Sequence, residues 1–135
     1  MNKTLAAVLA AGATLAAAGG AVAENWYAFY VVPSGVAYVD KDSLVFRPGH
    51  VSARIQSTFP TPQRLVRSGQ VFTYNKSRDM VDVDCEAQVY RFVSRDLFSD
   101  AGLEQLSIND ADNPVMIQDN TPQAALAKAF CPKRR

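Results

Sequence analysis

The sequence predicts an α+β domain: a twisted antiparallel β-sheet of about five or six strands with one C-terminal helix packed on it. Three observations carry this. Runs rich in aromatic and β-branched residues alternate apolar with polar side chains, and turn residues separate them. A single good helix signal, "TPQAALAKAFC", stands near the end of the chain. Two cysteines, Cys85 and Cys131, fall one in a strand-like run and one at the end of that helix.

The first 23 residues read as a leader rather than as part of the fold. Lys3 is a positive start, and Leu5 to Val22 is almost wholly Ala, Leu, Val, Gly and Thr. "AVA" at Ala21 to Ala23 then gives way to Glu24, the small-residue pattern of a signal peptide cut after Ala23. Ala and Gly are weakly apolar, whereas a bilayer span needs about 20 strongly apolar residues. With no cysteine near the cut, no lipid anchor is expected either. The expected product is one exported domain, residues 24–135, in a periplasm or outside the cell with no stable membrane anchor. Without Lys3 it carries 13 basic and 13 acidic residues. That balance argues against a general nucleic-acid or membrane-surface binder, which needs a basic excess.

Along the domain, "NWYAFYVV" (Asn25 to Val32) reads as a strand apolar on both faces, hence central and covered. "PSG" is a turn, and "VAYVD" and "KDSLVF" follow. "RPGH" places Pro48 and Gly49 at the centre of a type II turn, joining "SLVFR" to "HVSARIQSTF" as a hairpin. The second arm alternates, with Val51, Ala53, Ile55 and Ser57 on one face, and His50 is read as a solvated turn residue. "PTPQRLVRSGQ" has two prolines and a glycine and reads as a partly extended loop exposing Arg64 and Arg67. "VFTYN" is a short strand, and "KSRD" leads into "MVDVDCEAQVY". That run reads as one strand, with Val81, Val83, Cys85, Ala87 and Val89 inward and Asp82, Asp84, Glu86 and Gln88 outward. It continues through "YRFVSRDLFS". "DAGLEQLSINDADNP" reads as a loop with a partial strand, and "VMIQD" as a short strand. In the helix Thr121 caps, Pro122 takes the first position, and Leu126, Ala129 and Phe130 share a face. About ten residues do not hold a helix alone in water, so this one must dock on the sheet.

Two cysteines in an exported chain allow one intramolecular bridge, Cys85–Cys131. It closes a loop of 47 residues, counting both cysteines, worth on the order of 4 kcal/mol in the chain-entropy model. A redox or metal pair is the alternative, but neither cysteine sits in a CxxC and His50 is the only histidine. The same scarcity leaves no Cys/His chemistry and weakens Ser/His/Asp chemistry, so no catalytic residue is assigned. No cofactor or phosphate-loop motif appears. Asp82, Asp84 and Glu86 are read as a solvated strand row, since a Ca²⁺ site needs more oxygen ligands from a wrapping loop. A hydrolase built on such carboxylates has little support. Arg64, Arg67, Lys76 and Arg78 flank one short strand and form the candidate binding set for an acidic protein segment or a sulfated polysaccharide. Scattered solubilising charge is the alternative.

The order of these pieces resembles the surface-adhesin protein E family. The markers are the aromatic strand "NWYAFYVV", the step "YVDKDSL", the stretch "KSRDMVDVDC" and the closing "TPQAALAKAFC". The resemblance covers most of residues 24–135. It implies an antiparallel sheet with a C-terminal helix tied to it by the two cysteines, and no enzyme. It also implies a protein partner, since the family's namesake looks like an adhesin for host matrix and plasma proteins such as vitronectin and laminin. The namesake's basic, proline-bracketed loop looks similar to "PTPQR", which carries that role to Arg64. Gln63 stands where a second basic residue would help, and Lys76 and Arg78 fall in the matching basic stretch. The namesake type is lipidated and this chain has no lipidation cysteine. The competing expectation is therefore a soluble periplasmic envelope or stress-related protein that binds a partner through its sheet edge.

Overall fold

One long hairpin organises the chain. β4 (His50–Arg67) and β5 (Gln70–Asp84) pair antiparallel, and the other strands add to its two sides. The computed structural model describes residues 24–109 and 113–132. The expected leader and the closing Lys133 to Arg135 lie outside the described residues. On the β4 side lie β2 (Gly35–Asp40) and then β1 (Trp26–Val32). On the β5 side lie β6 (Val89–Phe98) and β7 (Glu104–Ile108). Two short strands complete a sheet of eight: β3 (Val45–Arg47) on β4 and β8 (Val115–Met116) on β6. Every pairing is antiparallel, so the observed class is the expected one, with eight strands where the sequence suggested five or six.

The alternation read for β4 sets the core. Val51, Ala53 and Ile55 are buried on the helix side, with Val81 and Val83 of β5 and Ala37 and Val39 of β2. Helix α1 (Pro122–Phe130) covers this face. Thr121 caps it by accepting from the Ala124 amide at 3.2 Å. Its buried stripe is Leu126 and Ala127 with Phe130 half-buried, while Ala129 is exposed. Leu126 is spaced alike toward either stripe, and small alanines do not distinguish them. Cys131 ends the helix and is bonded to Cys85, 46 positions earlier, with Cα atoms 5.7 Å apart. Gly35 brings the β1–β2 turn close to β4, since a Cβ there would lie 2.8 Å from the Thr58 carbonyl oxygen.

Three local expectations change. "MVDVDCEAQVY" is not one strand: β5 stops at Asp84, and residues 85–88 turn the chain back into β6. The Asp84 carboxylate accepts from the amides of Glu86 and Ala87, at 3.0 and 2.9 Å. Gln88 supplies a positive φ of 55°. An Asp side chain folding the chain back on itself outcompetes the ladder here. Cys85 is therefore buried in a turn rather than centred in a strand, and Ala87 is exposed. β1 is an edge strand rather than a central one, with Tyr27 and Val31 exposed. A bulge between Ala28 and Tyr30 turns Phe29 and Tyr30 toward the core. "PTPQRLVRSGQVFTYN" is ladder rather than loop and short strand, as described below.

An ion pair lies on the helix side of the sheet. Asp79 is 5% exposed, Arg95 Nε donates to it at 2.9 Å and Ser77 Oγ at 3.0 Å. The Arg95 guanidinium lies 4.1 Å from the Phe92 ring centroid. Burial pushes the Asp79 carboxyl above its ordinary value, against the pull of Arg95 and Ser77. A buried pair of this kind is costly to break from one side. Arg95→Met should cost about 3 kcal/mol or more in urea unfolding, and adding Asp79→Leu should recover most of it. A single-variant loss below about 1 kcal/mol would show that the pair is not needed.

Candidate functional site

The β4–β5 hairpin outruns the sheet. On one side the last β2 partner of β4 is Val36, opposite Thr58. On the other the last β6 partner of β5 is Phe98, opposite Lys76. Beyond both, Gln63–Arg67 of β4 pairs with Gln70–Tyr74 of β5 as a two-stranded arm. A register shift between Thr58 and Gln63 holds Pro60 and Pro62. Proline is tolerated at a bulge because no ladder N–H is needed there. Phe59 and Tyr74 brace the base edge to face, their centroids 5.9 Å apart. At the tip Ser68 and Gly69 both take positive φ, 51° and 76°, as a two-residue turn of type I′ requires. On the arm Val66 lies opposite Val71, 66% and 45% exposed, and Leu65 lies opposite Phe72.

The four candidate binding residues all lie on this hairpin. Arg64 faces Thr73 and Arg67 faces Gln70 on the arm, while Lys76 faces Thr58 and Arg78 faces Gln56 in the body of the sheet. At about 3.3 Å per residue they are strung along roughly 25 Å rather than gathered in one compact patch. Their surroundings set them apart. Arg47, Arg54, Arg91 and Arg95 each pair with a carboxylate. Among the described residues Arg64, Arg67 and Lys76 have no ion pair. Arg78 donates from Nε to Gln56 Oε1 at 3.0 Å and lies over the Phe98 ring. From Phe59 to Arg78 the sequence contains no Asp or Glu.

The acidic row read in the sequence dissolves. Asp82 is buried, 5% exposed, on the sheet face away from the helix. Arg47 and the Ser52 hydroxyl donate to one of its oxygens, and His50 Nδ1 lies 3.2 Å from the other. Arg91 stands at 3.9 Å. His50 is thus tied to the sheet rather than solvated. His50, Ser52, Asp82 and Arg91 come from three strands through direct cross-strand pairing, which no local pattern reveals. Among the described residues no group of three His, Cys, Asp or Glu is placed to hold a metal ion.

A family model described as surface-adhesin protein E matches residues 26–132, from the start of β1 to beyond Cys131. The chain belongs to the surface-adhesin protein E family. No curated protein matches the sequence closely enough to stand as a relative. The family match covers the arm, the bridge and the helix of this adhesin-like chain together. Among the described residues no helix is long and apolar enough to cross a membrane.

The Asp82 cluster gives the fold a defined acid response. Burial pushes the Asp82 carboxyl up, but the Ser52 hydroxyl, Arg47 and His50 together hold it below the usual carboxylate range. The Ala87 amide, with help from that of Glu86, holds Asp84 low as well. At Asp82 and Asp84, though not at Asp79, the unfolded chain therefore binds protons at a higher pH than the folded one. This stabilisation is present above pH about 4 and is lost as pH falls below it. The urea midpoint should fall between pH about 4 and 2.5, and Asp82→Asn should flatten that fall. An unchanged slope in Asp82→Asn would contradict the assignment.

Proposed function

We propose that this domain is a non-enzymatic, exported protein-binding module, and that the β4–β5 hairpin is its binding element. The observation that carries the reading is the contrast in pairing. Arg47, Arg54, Arg91 and Arg95 of the sheet body pair with carboxylates, whereas among the described residues Arg64 and Arg67, beside exposed Val66 and Val71, and Lys76, at the base of the arm, have no ion pair. Uncompensated basic groups around an apolar centre suit recognition of a protein with acidic character. Family membership supports adhesion, and the partner we propose is a host extracellular-matrix or plasma protein. A partner in the cell's own envelope is the second reading, and the free strand edge of the arm favours it.

Changing Arg64, Arg67, Lys76 and Arg78 together to Ala should abolish salt-sensitive binding to immobilised matrix proteins. The urea midpoint should stay close to that of the parent, because these side chains are not buried. Binding that survives the four substitutions would remove the hairpin from the interface.

A further inference from the structure

The arm offers a backbone as well as a charge pattern. Among the described residues, β4 from Gln63 to Arg67 is paired on one side only, by β5. Its other side presents N–H and C=O groups that no strand accepts. This stretch contains no proline, whereas Pro60 and Pro62 stand just before it. The prolines interrupt any ladder at the bulge, so the open edge is about five residues long, enough for one short added strand. Arg64 and Arg67 both lie on this edge, three positions apart, and so project to opposite faces of the strand. No carboxylate within the arm competes for them.

We infer that the free edge of β4 from Gln63 to Arg67 takes up an extended acidic segment of a partner protein as an added strand. The inference rests on the hairpin being the binding element and specifies how it binds. A segment with carboxylates three residues apart meets Arg64 and Arg67 on the two faces while its backbone completes the ladder. Val66, opposite Val71, gives its neighbouring side chain an apolar contact. The edge of β5 is the poorer choice: β6 ends beside Lys76, and the chain that follows carries Asp100 and Glu104, which repel an acidic strand. A second copy of the arm is also disfavoured, because antiparallel edge-to-edge pairing over residues 63–67 would make the two Arg64 side chains diagonal neighbours on one face. Arg64 therefore disfavours self-association, the usual hazard of an open edge, and with Arg67 selects an acidic strand.

The test uses the protein with three synthetic ten-residue peptides of alternating Thr and Val. One has two Glu three residues apart, one has Gln in their place, and one keeps the Glu but is N-methylated at alternate backbone nitrogens. The Glu peptide should bind and slow amide exchange within residues 63–67. The Gln peptide should bind about tenfold more weakly, and so should the Glu peptide with the Arg64→Glu, Arg67→Glu variant. The N-methylated peptide should not bind. Equal binding of the N-methylated peptide would overturn strand addition while leaving a charge-based hairpin interface standing. Protection at another strand edge, or no binding of the Glu peptide, would also overturn it. Loss of matrix-protein binding in the fourfold Ala variant is judged separately and bears on the broader reading.

Discussion

The register between β4 and β5 is the constraint on which the other elements depend. It runs through 14 paired positions, and side chains alternate across it. Val51, Ala53 and Ile55 lie opposite Val83, Val81 and Asp79 on the helix face, and Ser52 lies opposite Asp82 on the other. A slip of one residue would exchange the faces. It would place Asp82 under the helix and strip it of Arg47, Ser52 and His50, leaving a buried charge without partners. Valines and charges therefore specify the same register for opposite reasons. β2, β3 and β6 all take their own registers from these two strands.

The bridge transmits that register to the helix. A nine-residue helix does not persist alone in water. Here its last turn is tied through Cys131 to Cys85, and Cys85 sits in a turn that the Asp84 carboxylate folds. Asp84 thus acts at a distance, by setting where the sulfur of Cys85 stands. Tyr30 adds a second tie, its hydroxyl donating to the Asn120 carbonyl at 2.6 Å just before the cap. The helix seals one face, and among the described residues no helix lies on the opposite face or on the arm.

Much of this was legible in the sequence, and the rest was hidden for identifiable reasons. The alternation Val51, Ala53, Ile55, the Pro48-Gly49 turn, the Thr121 cap and the only possible cysteine pair all report local chemistry or simple arithmetic. The arm was obscured because Pro60 and Pro62 signal a loop, whereas a bulge absorbs both. The better signal was "RLVRSGQVFTY", with apolar pairs set symmetrically about Ser68-Gly69. The Cys85 turn was obscured because apolar residues continue the alternation straight through it. The ties of His50 to Asp82 and of Arg95 to Asp79 are made across strands and are invisible to any local pattern. Arg64, Arg67, Lys76 and Arg78 can be read from the sequence as a basic set, but their spacing along a projecting ribbon cannot.

The sheet body holds most of its arginines in ion pairs, whereas among the described residues Arg64 and Arg67 of the arm have none. The arm is thus the proposed binding element and the body its support. The most direct test replaces residues 59–75 with an Asn-Gly turn, which closes the hairpin at the Thr58 and Lys76 pair. The shortened protein should keep its disulfide and unfold cooperatively, with stability within about 1–2 kcal/mol of the parent because few core side chains leave. It should bind neither matrix protein nor acidic peptide. A shortened protein that folds and still binds as the parent does would contradict the account, and would move the interface to the sheet itself.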